Sequence, residues 1–198
     1  MRVIAGTARG RTLRAVGSTR PTADLVKGVI FSMLEALAYK RGFEPDEDGR
    51  MAAALAWPRV LDLFAGSGAL GIEALSRGAE RADFVEQDRQ AAQVIHANLR
   101  ASGLAEQARV HQGSAEAMLA RVRAPIDLVL ADPPYADTTV LQGIAEGLNE
   151  LLLPTSVVIF EQAAEQPPLE LVGTLPLHNS RAHGHTRISL YSAPSGGC

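Results

Sequence analysis

From Arg59 onward the sequence alternates between apolar strand patterns and helical patterns, and this alternation limits the possible folds most strongly. The strand patterns are RVLDLF, ADFVEQ, ARVHQ, IDLVLA and SVVIFEQ. Helical spacing occupies the segments between them, over about 8 to 15 residues each, which predicts a parallel sheet with helices on both faces. Two later stretches, LELVGTLPLH and TRISLYS, predict an antiparallel closing strand pair. We therefore expect a Rossmann-like α/β fold with a mostly parallel sheet.

The N-terminal segment is basic, whereas the rest of the chain is acidic. RVIAG and RTLRAV, joined by a turn between Gly6 and Gly10, predict a β-hairpin with arginines on one face. Residues 1–30 hold six basic side chains and one acidic one, a net charge of +5, which leaves −8 for the remainder. This asymmetry indicates a polyanionic partner for the hairpin. A solvated hairpin without a partner explains the charge equally well.

A helix and a polar loop separate this hairpin from the alternating region. Apolar residues at helical spacing predict an amphipathic helix from about Thr22 to Lys40, with Thr22 or Asp24 as its N-cap. The turn-rich stretch 42–57 is predicted to be an exposed loop. We divide the chain into a basic hairpin arm (1–21), a domain (22–193) and a flexible tail (194–198).

Composition excludes several classes of protein. A chain of 198 residues can bury roughly 70% of its unfolded surface without a disulfide or a metal. The single cysteine, Cys198, excludes a disulfide framework and a cysteine-based zinc site. The start MRVIAGTARG has no apolar signal region, and no apolar run approaches ~20 residues. We expect a cytoplasmic monomer with neither a membrane partner nor a metal.

A glycine-rich loop follows the first of the alternating strands. LDLFAGSGALG contains the spacing G-x-G-x-x-G from Gly66 to Gly71, between a strand and a helix. Glycines let the backbone approach a ligand closely, and the helix N-terminus offers unpaired N–H groups. Glu86 lies 20 residues after Gly66, where a carboxylate can bind both hydroxyls of a ribose. These features predict a ligand of the adenosine type.

Asp62 favours one such ligand over another. It lies four residues before Gly66, where a negative charge would repel the pyrophosphate of NAD. The same charge suits the amino group or the sulfonium of S-adenosylmethionine. We therefore favour S-adenosylmethionine, while an NAD-dependent oxidoreductase and a purely structural glycine turn remain as alternatives.

The fourth strand ends abruptly in LVLADPPY. Two prolines stop the strand, and the carboxyl ends of parallel strands meet at one edge of the sheet. Asp132 should therefore face the same crevice as the glycine loop. A carboxylate and a carbonyl held by prolines can both accept hydrogen bonds from the exocyclic amine of a base, and Tyr135 can stack on that base. We predict a catalytic group formed by Asp132, Pro133, Pro134 and Tyr135.

These motifs carry a family resemblance. VLADPPY resembles the [D/N]-P-P-[F/Y/W] motif of methyltransferases that modify exocyclic amines. VLDLFAGSGALGIEALSRGA resembles the cofactor loop of the bacterial 16S rRNA guanine-N2 methyltransferases of the RsmD type. RVIAGTARGRTL, RPTADLVKGVIF and HGHTRISLY extend the resemblance over nearly the whole chain. The resemblance implies a class I methyltransferase fold, S-adenosylmethionine as cofactor, and 16S rRNA or the small ribosomal subunit as partner.

The resemblance also implies roles for individual residues. Asp132 and Pro133 would position the amine, and Tyr135 would stack on the base. The cofactor contacts would come from Asp62, Phe64, Ala65, Gly66, Ser67, Gly68, Glu86, Ser114 and Ala115. The nucleic-acid contacts would come from Arg9, Arg11, Arg14, Arg20 and Thr22. The chain departs from the family pattern at Ser114, where an aspartate is common, at Leu25, Lys27 and Gly28, and at His183-Gly184-His185-Thr186, where the pattern is closer to Y-G-D-T.

Other functions fit parts of the sequence. The DPPY motif suits any planar amine, so adenine N6 and protein glutamine are alternative acceptors. A catalytically silent RNA-binding protein is a further alternative. His183 and His185 are weak evidence for zinc, and we expect solvated or RNA-facing histidines. Glu161, at the end of the fifth strand, can face either the crevice or solvent.

Overall fold

In a computed structural model, which describes residues 1–16, 22–44, 56–122, 125–133 and 139–194, one eight-stranded sheet lies between two layers of helices. The helices are α1 (Thr22–Lys40), α2 (Ala69–Ser76), α3 (Arg89–Ser102), α4 (Ala115–Leu119) and α5 (Thr139–Gly147). The strands are β1 (Arg59–Leu63), β2 (Arg81–Glu86), β3 (Ala108–Gln112), β4 (Ile126–Ala131), β5 (Leu152–Ala163), β6 (Leu171–Val172), β7 (Leu175–His183) and β8 (Thr186–Ser192).

The strand order is β3-β2-β1-β4-β5-β8-β7-β6. Strands β1 to β5 pair in parallel, and β5 to β8 continue the sheet with antiparallel pairs. The predicted α/β class and its mostly parallel sheet are confirmed. The closing region has three strands because Gly173, at φ 59, separates β6 from β7. Since β1 lies between β2 and β4, the chain order reverses there, and a crevice opens beyond the carboxyl ends of β1 and β4.

Both faces of the sheet are buried, as the predicted helical layers require. In β4, Leu128 and Leu130 belong to a core cluster shared with α1, α2 and α3. Val129 and Ala131 belong to a second cluster, shared with α4 and α5. Successive side chains of a strand point to opposite faces, so a strand covered on both sides must be apolar throughout.

The predicted N-terminal hairpin is short and shares the core of the domain. One antiparallel bridge joins Arg2 to Thr12, and the amide of Val3 donates to the carbonyl of Arg11 at 2.9 Å. Val3, Ala8 and Leu13 are buried in the same cluster as α1 to α3. Residues 1–16 are thus packed against the domain as part of one hydrophobic core.

The helix boundaries follow the sequence, with one correction. Helix α1 has the predicted bounds, but it begins at Thr22, so the prediction of Thr22 or Asp24 as N-cap is wrong: both residues lie within the helix. Two other helices begin with a side-chain cap. Asp88 accepts a hydrogen bond from the amide of Ala91 before α3, and Ser114 caps α4.

Two predicted segments lie largely outside the described residues. The loop 42–57 is described only at 42–44 and 56–57, where Trp57 is buried. Of the tail 194–198, residues 195–198 lie outside. Within the described ranges, none of the helices combines the length and the apolar character that crossing a bilayer requires.

Candidate functional site

A cavity of about 880 Å³ opens at the carboxyl edge of β1 and β4. Its lining contains most of the predicted cofactor loop together with the first two residues of the DPPY motif, namely Asp62, Phe64, Ala65, Gly66, Ser67, Asp132 and Pro133. The predicted meeting of the glycine loop and Asp132 in one crevice is therefore what the fold produces. Pro134 and Tyr135, the other two predicted catalytic residues, lie outside the described residues.

The glycine loop turns through three residues with left-handed backbone conformation. Phe64, Gly66 and Gly68 have φ values of 58°, 54° and 78°. For Phe64, a non-glycine residue, this conformation costs of order 1–3 kcal/mol, and such strain is typical of ligand-binding turns. A Cβ at Gly66 would meet no heavy atom closer than 3.9 Å, so steric crowding does not require glycine there. The positive φ favours glycine, and the missing side chain leaves space beside the cavity.

Gly71, in contrast, allows α2 to pack closely on the sheet. A Cβ at this position would lie 2.4 Å from Cε1 of Phe84 on β2 and 2.9 Å from Oδ2 of Asp62. The amide of Gly71 donates to that same Oδ2 at 2.8 Å. The third glycine of the motif thus lets the first turn of α2 contact the strands directly.

Asp62 lines the cavity but is almost entirely buried, with 2% of its surface exposed. Burial raises the pKa of its carboxyl to about 8, the hydrogen bond from Gly71 opposes this, and the nearby charge of Glu86 adds to it. Burial of Asp62 thus works against the negative charge that the sequence led us to expect there. Desolvation outweighs the single hydrogen bond to the carboxylate.

Glu86 holds the glycine loop through hydrogen bonds to its carboxylate. Its two carboxylate oxygens accept hydrogen bonds from the amides of Gly66 and Asp88, each at 2.8 Å. The side chain is half-buried and is not part of the lining of the large cavity. Glu86 thus holds the end of β2 against the loop that follows β1.

A second, smaller cavity of about 420 Å³ lies beyond the end of β3. Ser114 lines it, and the Ser114 hydroxyl accepts a hydrogen bond from the amide of Ala117 at 3.3 Å. The amide of Gly113, also in the lining, donates to the carbonyl of Glu86 at 3.0 Å. Glu86 therefore lies between the two cavities, whereas Gly68 and the buried Ala115 line neither of them.

The far wall of the large cavity comes from the closing strands. Glu161 and Glu165 contribute to it from β5 and the turn that follows, and residues 183–186 contribute from the β7–β8 turn. Glu161 therefore faces the crevice rather than bulk solvent alone. The sequence did not place the β7–β8 turn at the cavity, because its position depends on the antiparallel pairing of β8 with β5. Among the described residues, no group of three metal-ligating side chains occurs.

Lys27 lines this cavity but is almost entirely buried, and its ammonium is held by partners within the protein. It is 1% exposed, and its ammonium donates to the carbonyl of Arg2 at 2.5 Å and lies 3.3 Å from the carboxylate of Glu73. Glu73, also buried, accepts hydrogen bonds from the amides of Ile4 and Ala5. One of the six basic residues in the N-terminal segment thus neutralises a buried glutamate and holds the hairpin in place.

Asn98 on α3 connects the hairpin to the glycine loop. Its amide nitrogen donates to the carbonyls of Ser67 at 2.8 Å and Arg14 at 3.0 Å, and its oxygen accepts from the amide of Arg14 at 2.8 Å. This role of Asn98 could not be predicted, since a single asparagine within a helical pattern gives no signal of a distant partner.

The predicted nucleic-acid contacts are only partly described. Arg9, Arg11 and Arg14 are exposed on the hairpin, and none of them lines the large cavity. Arg20 and the side chain of Thr22 lie outside the described residues.

Comparisons with known proteins give full-length matches. The family model described as conserved hypothetical protein 95 matches residues 1–192. The YlbH protein of Bacillus subtilis is 37% identical over 96% of this chain and 98% of its own length. Ribosomal RNA small subunit methyltransferase D of Escherichia coli is 32% identical over 100% of this chain and 92% of its own. The solved structure of yhhF from Escherichia coli superposes with a TM-score of 0.79 at 30% identity, over 99% of both chains.

Proposed function

The chain belongs to the family described as conserved hypothetical protein 95, the RsmD-type methyltransferases that its motifs resemble, and we propose that it methylates the exocyclic N2 amine of a guanine in 16S rRNA. The methyl donor is S-adenosylmethionine. Full-length relatives in Escherichia coli and Haemophilus influenzae are named ribosomal RNA small subunit methyltransferase D. The observation that carries the proposal is the shared cavity, in which the glycine loop and Asp132 meet.

The glycine loop and its supports fit the cofactor. In the left-handed turn at Phe64, Gly66 and Gly68, glycine at position 66 leaves open space that a side chain would occupy. Asp62 is a buried carboxyl beside this turn, and a bound cation would lower its pKa and favour the charged form. We assign the ribose hydroxyls to Glu86, since each of its carboxylate oxygens accepts one backbone hydrogen bond and can accept another. When bound, S-adenosylmethionine supplies an electrophilic methyl group on a sulfonium.

Asp132 positions the exocyclic amine that accepts the methyl group. The lone pair of an exocyclic amine is delocalised into the base, so the amine is a weak nucleophile. A carboxylate that accepts a hydrogen bond from this amine holds the nitrogen in place and favours lone-pair density directed at the methyl group. Pro133 is buried next to it, which fixes the backbone after β4. Asp132, or a water, then takes the proton that the methylated nitrogen loses. Tyr135 stacks on the flipped base.

The exposed arginines of the hairpin bind the RNA backbone. Arg9, Arg11 and Arg14 lie on a segment that Asn98 connects to the carbonyl of Ser67 in the glycine loop. We assign Arg20 and Thr22, which the family resemblance also implies as RNA contacts, to the same role. Phosphate contacts of this kind set the orientation of the RNA and carry no sequence information.

Nucleoside analysis of ribosomal RNA tests the proposed function. RNA from cells with and without the gene is digested to nucleosides, and the purified protein is incubated with the undermethylated small subunit and S-adenosylmethionine. We expect N2-methylguanosine in 16S rRNA to be lost with the gene and restored by the protein. N6-methyladenine or methylglutamine as the product would contradict the choice of acceptor. Calorimetric binding of NAD instead of S-adenosylmethionine would contradict the choice of cofactor.

A further inference from the structure

We propose that Glu161 is a specificity-determining residue that recognises guanine by accepting hydrogen bonds from its N1–H and from one N2–H. This inference rests on the proposed function, guanine-N2 methylation, and assigns a role to a side chain that the glycine loop and the DPPY motif do not include. Asp132 alone can hold an exocyclic amine on any planar base. A second acceptor is therefore needed to distinguish guanine from adenine.

The strand register places Glu161 beside Asp132. Strands β4 and β5 pair in parallel with Ala131 opposite Phe160, so Asp132, directly after β4, follows Ala131 as Glu161 follows Phe160 in β5. Neighbouring strands lie about 4.8 Å apart. Both residues line the large cavity.

The alternation of side chains orients the two carboxylates alike. Leu130 and Ile159, two residues earlier on each strand, are buried in the same core cluster, on the α1 side of the sheet. Since residues i and i+2 of a strand share a face, Glu161 projects toward that side, where Val26 and Lys27 also line the cavity. Asp132, the first residue after β4, lines the same cavity. Ala163, one further step along β5, lines the same cavity.

Guanine matches this pair of acceptors. Its Watson–Crick edge carries adjacent donors at N1 and N2, which one carboxylate can bind through both oxygens. The second N2 hydrogen remains for Asp132. Adenine presents an unprotonated N1, whose lone pair would face the carboxylate of Glu161 and repel it. A base that lacks the N1 donor is strongly disfavoured, because it brings an acceptor to the Glu161 carboxylate in place of the donor that guanine supplies.

The test uses an acceptor that keeps the amine and lacks the N1 donor. 2-Aminopurine has its amine at C2, as guanine does, but its N1 is an acceptor. Once the methylated guanine is mapped, 2-aminopurine is placed there by splinted ligation, in free rRNA or in the reconstituted small subunit, whichever the wild type accepts. We expect wild-type protein to prefer guanine by roughly 100-fold in kcat/KM.

Glu161→Gln should reverse most of that preference. A glutamine can turn its NH₂ toward the N1 of 2-aminopurine, so we expect kcat/KM for guanine to fall by about 10- to 100-fold and the preference to shrink below about 10-fold. The affinity for S-adenosylmethionine should stay unchanged. Glu146→Gln, an exposed position on α5 on the opposite face of the sheet, is the matched control and should behave as wild type.

The outcomes separate the inference from the proposed function. A wild type that leaves guanine unmethylated refutes the function itself. An active wild type with the same preference as Glu161→Gln refutes the inference alone. If Glu161→Gln loses S-adenosylmethionine binding, Glu161→Asp takes its place: it keeps the charge, so it should retain the preference at a lower rate, and a lost preference would refute the inference.

Discussion

At the scale of single residues, the site depends on carboxylates that are placed very differently. Asp132, Glu161 and Asp62 all line the cavity, but Asp62 is almost entirely buried, and Glu86 supports the glycine loop. A buried carboxyl that is neutral in the free protein avoids the cost of an unpaired buried charge. A cationic ligand then supplies the missing partner.

The raised pKa of Asp62 predicts a distinctive dependence of stability on pH. With a carboxyl pKa near 3.8 in the unfolded chain and about 8 in the native state, Asp62 is protonated in both below about pH 4. As pH rises to 8, the unfolded state loses this proton and the native state keeps it, so the contribution of Asp62 to stability is lost over that range. Asp62→Asn should therefore gain stability relative to wild type as pH rises from 5 to 8.

Urea unfolding of both proteins at several pH values measures this difference. A difference in unfolding free energy that stays constant between pH 5 and 8 would contradict the assignment of a neutral Asp62. A saturating cation-bearing cofactor should reduce the difference, since it binds only the native state and favours the ionised carboxylate.

At the scale of elements, buried polar side chains hold the N-terminal hairpin on the domain. Glu73 accepts hydrogen bonds from the amides of Ile4 and Ala5, and Lys27 donates to the carbonyl of Arg2. Asn98 binds the backbone of Arg14. Because Asn98 also binds the carbonyl of Ser67, the proposed RNA-binding hairpin and the glycine loop share one support.

Asn98→Ala should lower stability by roughly 2 to 4 kcal/mol, because it leaves several buried backbone groups without partners. Affinity for S-adenosylmethionine should fall as well, since the carbonyl of Ser67 loses its donor. Thermal unfolding and calorimetric titration measure the two effects. Gln93→Ala, an exposed position on the same helix, is the control. Equal behaviour of the two variants would show that Asn98 does not support the loop.

At the scale of the whole molecule, the charge distribution predicts how rRNA is bound. Changing Arg9, Arg11 and Arg14 together to glutamine should raise KM for the RNA about 10-fold or more and leave cofactor affinity unchanged. Each lost phosphate contact reduces the slope of log affinity against log salt by about 0.7 to 0.9. Filter binding over a range of salt concentrations measures the slope.

A matched triple variant controls for net charge. Arg59, Arg81 and Arg109 are exposed at the amino ends of β1, β2 and β3, on the edge of the sheet away from the cavity. Their replacement by glutamine changes the total charge equally and should alter the slope little. Equal slopes for both triple variants would indicate a diffuse electrostatic effect instead of a hairpin-specific one.

Features that depend on local sequence pattern could be predicted, whereas features that depend on contacts between distant residues could not. The alternation from Arg59, the bounds of α1, the glycine loop and the position of Asp132 all follow from periodicity and motif spacing. The burial of Asp62 and the hydrogen bonds that Glu73 accepts from Ile4 and Ala5, 69 and 68 positions away, could not be predicted, because they arise from packing between separate elements. The cavity wall at residues 183–186 depends on strand pairing for the same reason.

The most direct measurement is the separation of cofactor binding from methyl transfer in Asp132→Ala. We expect this variant to bind S-adenosylmethionine within about twofold of wild type by calorimetry, while methyl transfer to the small subunit falls by at least about 100-fold. Asp132→Asn, which keeps an acceptor oxygen, should retain part of the rate. Asp127→Asn, at the other end of β4, is the control. Near-normal methyl transfer by Asp132→Ala would contradict the account, because the acceptor amine would then be positioned without that carboxylate.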